Sequence, residues 1–158
     1  MVYGKGVIDM HPFDIKSALL AKHAQHVVLI HFPIALFLIG VLFDLIAQRT
    51  KNRALAAAAY YNFIAAAFST VPVLLTGILA WQFALEGHKL KGILLDHLVL
   101  GWTSSMLIWV VAWLHFRANR EGARPLPGYR LAIEFLGAAL IMLTGHLGGF
   151  LSGVNIPG

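Results

Sequence analysis

The sequence has no cysteine. That absence excludes disulfides, thiolate metal sites, iron–sulfur ligation and a covalently attached c-type heme. Charge is also scarce. Only 12% of the 158 residues are Asp, Glu, Lys or Arg, about half of the ~25% typical of soluble domains. Apolar residues replace charge: 59% of the chain is hydrophobic and the mean hydropathy is +0.76. The length suits one domain. Against this background, eight histidines, four tryptophans and a net charge of +5 stand out.

Residues 1–22 mix Lys5, Asp9, His11, Asp14 and Lys16 with apolar residues and lack the long apolar core of a signal peptide. They are expected to form an extramembrane segment, with 13–20 a candidate interfacial helix. Residues 23–158 hold four apolar runs, at 27–47, 60–85, 93–115 and 131–151. Each has 21 to 26 residues, and about 20 are needed to cross the hydrocarbon. In lipid such a run must be helical, because each backbone polar group needs an internal partner. The connections, 48–59 (expected to be helical in part), 86–92 and 116–130, are short, and short connections favour antiparallel neighbours. The expected fold is therefore all-α, an integral membrane up-down four-helix bundle. No internal repeat and no low-complexity segment is visible. Pro33 and Pro72 fall inside runs, where each removes a backbone donor and crowds the carbonyl of Leu29 or Phe68, so kinks are expected there.

Basic residues orient the bundle. Beyond the ends of the first and third runs lie Arg49, Lys51, Arg53, Arg117, Arg120, Arg124 and Arg130; near the opposite face lie Lys22, Lys89 and Lys91. The positive-inside rule assigns the first set, and with it 48–59 and 116–130, to the cytoplasm. Both termini are then expected on the periplasmic side.

The histidines follow from this topology. His31 and His97 lie four residues into runs that enter from the N-terminal side, and His146 lies five residues before the end of a run that leaves there. At 1.5 Å per residue, the three sit about 6 to 8 Å below one membrane boundary. His26 lies just above this layer, with His23, His88 and His11 further out; His115 alone is near the other face. An intramembrane ionisable residue is a functional candidate, because burying it is costly. Neutral imidazole can bind metal at that depth without burying a charge. Gly101 follows His97 by one turn on the same face, and Gly145, Gly148 and Gly149 surround His146. Small residues let a flat ligand or a neighbouring helix approach. Gly40 and Gly77 read as packing glycines, and Trp81, Trp102, Trp109 and Trp113 as packing or an interfacial belt. Asp44 and Glu134, near the opposite face, are expected to bond Tyr60 or Arg130, with a proton path as the alternative.

The stretch from His26 through His31, Phe32, Pro33, Ile34, Ala35 and Leu36 resembles the opening of a widespread bacterial family of four-helix membrane proteins of unknown function, whose members begin with His, four residues, then His-Phe-Pro-Ile-Ala-Leu. Val27 stands where the family commonly has proline. Asp44, Thr76-Gly77 followed by Trp81, His97, and the run His146, Leu147, Gly148, Gly149 look similar too. The resemblance covers about residues 26–152. Such proteins look related to domains placed beside or fused to c-type cytochromes, and the resemblance implies electron transfer and b-type heme in a bacterial inner membrane.

The leading expectation is a membrane b-type heme protein, or a heme-bearing subunit of a larger respiratory or photosynthetic complex. It would pass electrons between quinone and a periplasmic carrier such as a c-type cytochrome. Candidate ligands are His31, His97, His146 and His26, with His31 and His97 the first pair because helices 1 and 3 are diagonal; Gly101 would line the cofactor. Four histidines could serve two hemes. The alternatives are a copper or zinc site on His31, His97 and His146, or an accessory subunit without redox chemistry. Few carboxylates at that depth argue against di-iron, and four helices leave little room for a transporter unless the chain forms a homo-oligomer. No nucleic-acid partner is expected.

Overall fold

A computed structural model of the chain describes residues 22–83, 89–120 and 127–152. The candidate interfacial helix at 13–20, together with His11, Glu86, His88 and Arg124, lies outside these residues. Among the described residues the fold is all-α, with no strand. Its helices are α1 (Lys22–Leu29), α2 (His31–Thr50), α3 (Arg53–Phe83), α4 (Ile93–Arg120) and α5 (Arg130–Leu151). The first two combine into one span, so the chain has four spans of 26, 31, 28 and 22 residues. Each is long and apolar enough to cross a bilayer.

The helices overrun the apolar runs, because a helix does not stop where the hydrocarbon does. The segment 48–59 is helical in part, as expected, and only Lys51 and Asn52 are non-helical. Residues 54–59 are alanines and one leucine, the strongest helix formers. Lys51 closes α2 in the left-handed region, at φ 58°. The Asn52 side-chain oxygen caps α3 by accepting from the backbone N–H groups of Ala54 at 2.9 Å and Leu55 at 3.3 Å. The two prolines behave differently. The helix assignment breaks at Ile30, three residues before Pro33, although Ile30 keeps right-handed helical angles of φ −59° and ψ −27°. Around Pro72, by contrast, α3 runs unbroken.

The first span packs on the second and fourth, and the third packs on the same two. The first and third are thus diagonal, as the up-down order requires. Cohesion in lipid comes from close packing rather than from the hydrophobic effect. Phe37 and Phe63 fill the centre, fully buried with ring centroids 5.4 Å apart. Each lies against a glycine: a Cβ on Gly40 would be 2.8 Å from Phe63, and one on Gly137 would be 2.9 Å from Phe37. The outer surface is apolar, with Val28, Tyr61, Phe68, Leu75 and Met106 all more than half exposed.

An internal repeat, not evident in the sequence, emerges from burial. Of the 23 buried residues in α2 to α5, twenty form ten pairs separated by 71 positions, including Phe37 with Ile108, Asp44 with His115, Phe63 with Glu134 and Ala67 with Ala138. The first helical hairpin therefore has the same inward face as the second. Since the first and third spans run in one direction, a two-fold rotation about an axis along the helices relates the halves. Few residues are identical between them, and this explains why the repeat escapes a reading of residue types.

Candidate functional site

Between the helices at the N-terminal end lies a cavity of about 370 Å³, within the ~300–1,000 Å³ range of small-molecule and cofactor sites. Its lining is mostly apolar, and it includes His26, His31, His97 and Gly101. Trp81 and Trp102 also reach it, so these two contribute more than an interfacial belt.

The structure brings His26 and His97 together. Their ring centroids are 6.5 Å apart and their planes nearly perpendicular, at 89°. Each ring is seated in the same way. His26 Nδ1 donates to the Val73 carbonyl at 3.2 Å, with the Thr76 hydroxyl 3.3 Å away. His97 Nδ1 donates to the Thr144 carbonyl at 3.0 Å. One turn beyond each carbonyl is a glycine that leaves room for the ring. A Cβ on Gly77 would lie 3.0 Å from His26 Cε1, and one on Gly148 would lie 3.2 Å from His97 Cε1. Gly77 is thus part of the site rather than an ordinary packing glycine. His31 is at the exposed rim, its Nδ1 donating to the Val27 carbonyl in α1 at 2.7 Å. A carbonyl can only accept, so Nδ1 of each ring carries a proton, and the neutral form of such a ring has its lone pair on Nε2. Histidines that bind metal show this arrangement, the second nitrogen being held by a backbone or carboxylate oxygen.

His146 is placed differently. It is exposed, its ring packs edge-on against Phe150 at 5.0 Å, and it does not line the cavity. Sequence depth located it in the correct layer, but depth does not specify which way a helix face points. The expected layer of three therefore becomes an adjacent pair, His26 and His97, with His31 at the rim. Among the described residues no three histidines come close enough to share one ion; the one candidate group of three is Asp44, His115 and Glu134.

That group belongs to a buried polar cluster at the opposite end. Arg130 Nε donates to Asp44 Oδ2 at 2.9 Å, which selects Arg130 over Tyr60 as the partner of Asp44. His115 Nε2 lies 3.0 Å from Glu134 Oε1. Glu134 is fully buried and its Oε2 has no hydrogen-bond partner. The pairing of His115 with Glu134 was not evident from sequence, although the two lie at depths that could have suggested it. Arg130 is buried in an ion pair, unlike the exposed cations of the loops.

Four apolar spans long enough to cross a bilayer define a class: a multi-pass membrane protein. More narrowly, the chain belongs to the family described as Predicted membrane protein (DUF2231), whose model matches residues 22–154. No curated protein and no solved structure matches the chain.

Proposed function

We propose that the protein is a membrane electron-transfer protein that holds a b-type heme in the cavity at its N-terminal end. The observation that carries this reading is the pair His26 and His97, which line one apolar cavity with ring centroids 6.5 Å apart, each with Nδ1 bound to a carbonyl. Imidazoles on opposite sides of one ion, at the ~2.0–2.1 Å typical of metal–imidazole bonds, have centroids roughly 6 Å apart, close to the 6.5 Å found here. A cavity of about 370 Å³ is also much larger than a bare ion requires. The alternative of a copper or zinc site on three imidazoles has less support, because His146 is off the lining.

A bound heme supplies one-electron chemistry. The chain's own residues do the rest. Val73 and Thr144 orient the imidazoles, Gly77 and Gly148 admit them, and the apolar lining limits water and sets the dielectric. The charge distribution supports a periplasmic position for the site, since Arg49, Lys51, Arg53, Arg117 and Arg120 are at the other end. Quinone in the bilayer and a periplasmic c-type cytochrome, or a larger complex, are the partners this position suits. The test is a reduced-minus-oxidised absorption spectrum of protein isolated from its native membrane. A Soret shift with a b-type alpha band is expected. Its absence, with stoichiometric copper or zinc by elemental analysis, would replace this reading with the non-heme one; absence of both would leave an accessory subunit.

A further inference from the structure

The cavity shares the two-fold relation of the core. Of its 28 lining residues, 26 form thirteen pairs separated by 71 positions. His26 pairs with His97, Gly77 with Gly148, and Val73 with Thr144. The site is therefore one half-site presented twice, and the cavity lies on the pseudo-two-fold axis. Each half-site holds an imidazole on one helix, a carbonyl on the next helix that accepts from its Nδ1, and a glycine one turn beyond.

We infer that His26 and His97 are equivalent axial ligands of one planar metal tetrapyrrole lying across this axis, and that His31 and His146 are not ligands. The inference rests on the heme reading above and makes it specific. A ligand on a two-fold axis meets the same donor from either side. His26 and His97 satisfy that requirement, being mates whose ring centroids lie 6.5 Å apart with their planes at 89°. His31 does not, because its mate is Trp102, which has no lone pair to offer a metal. His146 has Leu75 as its mate and faces away from the cavity. The first choice from sequence, His31 with His97, joins two positions that the repeat does not relate. One on-axis pair also means one heme per chain rather than two.

The test compares His26→Ala, His97→Ala, His31→Ala and His146→Ala in the full-length chain in mild detergent. The readouts are heme per protein and spin state, by absorption and electron paramagnetic resonance. Wild type is expected to contain one six-coordinate low-spin heme. His26→Ala and His97→Ala should each lose at least tenfold in heme content or become high-spin, and added imidazole should restore the low-spin spectrum in both. His31→Ala and His146→Ala should keep the bis-imidazole signature. If an alanine variant fails to fold, His26→Met and His97→Met keep a ligand atom and should both change the axial signature and raise the midpoint potential. A low-spin bis-imidazole spectrum that survives loss of His26 but not of His31 would overturn this assignment while leaving the heme reading intact. Two hemes per chain would overturn it as well. Wild-type protein without heme would overturn both.

Discussion

Replacing Asp44 with alanine would remove the carboxylate that is hydrogen-bonded to the buried Arg130 guanidinium. Asp44 and Arg130 are 3% and 8% exposed, and their contact is a single Nε to Oδ2 hydrogen bond of 2.9 Å. At an effective dielectric constant of 20, two charges about 4 Å apart attract by about 4 kcal/mol. Burial costs a comparable amount, so the pair together contributes little, but loss of one member exposes the full desolvation cost. Breaking such a pair costs about 3–5 kcal/mol. Asp44→Ala should therefore lower stability by that amount in detergent, measured by equilibrium unfolding in mixed micelles. The double variant Asp44→Leu with Arg130→Met removes both charges and should recover to within about 1.5 kcal/mol of wild type. The reasoning is wrong if Asp44→Ala falls within about 1 kcal/mol of wild type, or if the double variant is as unstable as the single one.

Further outcomes follow from the same geometry. Gly40→Ala should cost about 1–3 kcal/mol by overpacking, because its Cβ would meet Phe63 at 2.8 Å. Gly101→Ala, whose nearest neighbour would be 3.8 Å away, should leave unfolding unchanged. Gly77→Ala and Gly148→Ala should each displace the imidazole they now admit, lowering heme content per protein while leaving the unfolding midpoint near that of wild type; full heme content in both would refute their role. His115→Phe should cost about 1–3 kcal/mol by leaving Glu134 with neither oxygen bonded, and Glu134→Leu added to it should recover most of the loss. Because the chain has no cysteine, a single Cys introduced at Lys51 or Lys89 reports sidedness without background. An impermeant thiol reagent applied from outside is expected to label position 89 and not 51, and the reverse pattern would invert the orientation.

The sequence by itself determined the class of this protein. Four runs of 21 to 26 apolar residues leave lipid-exposed backbone no option but helix, and short connections then make the spans antiparallel. Depth along each span placed His26, His31, His97 and His146 near one face, because rise per residue is nearly constant. Motif residues, from His26 to Leu36 and from His146 to Gly149, identified the family. Rotation about each helix axis was a different matter. Depth is a property of one helix, whereas facing is set by packing against its neighbours, and a bundle with lipid outside has no polar surface to reveal its inward side. His146 pointing outward, His26 rather than His31 adjacent to His97, and His115 beside Glu134 are all consequences of rotation. The repeat was hidden for a related reason. Packing in lipid asks for size and fit rather than residue type, so Phe37 and Ile108, or Phe63 and Glu134, occupy equivalent places without resembling one another. The tertiary structure alone decided that the two hairpins share one inward face, and that the histidine pair stands on the axis between them.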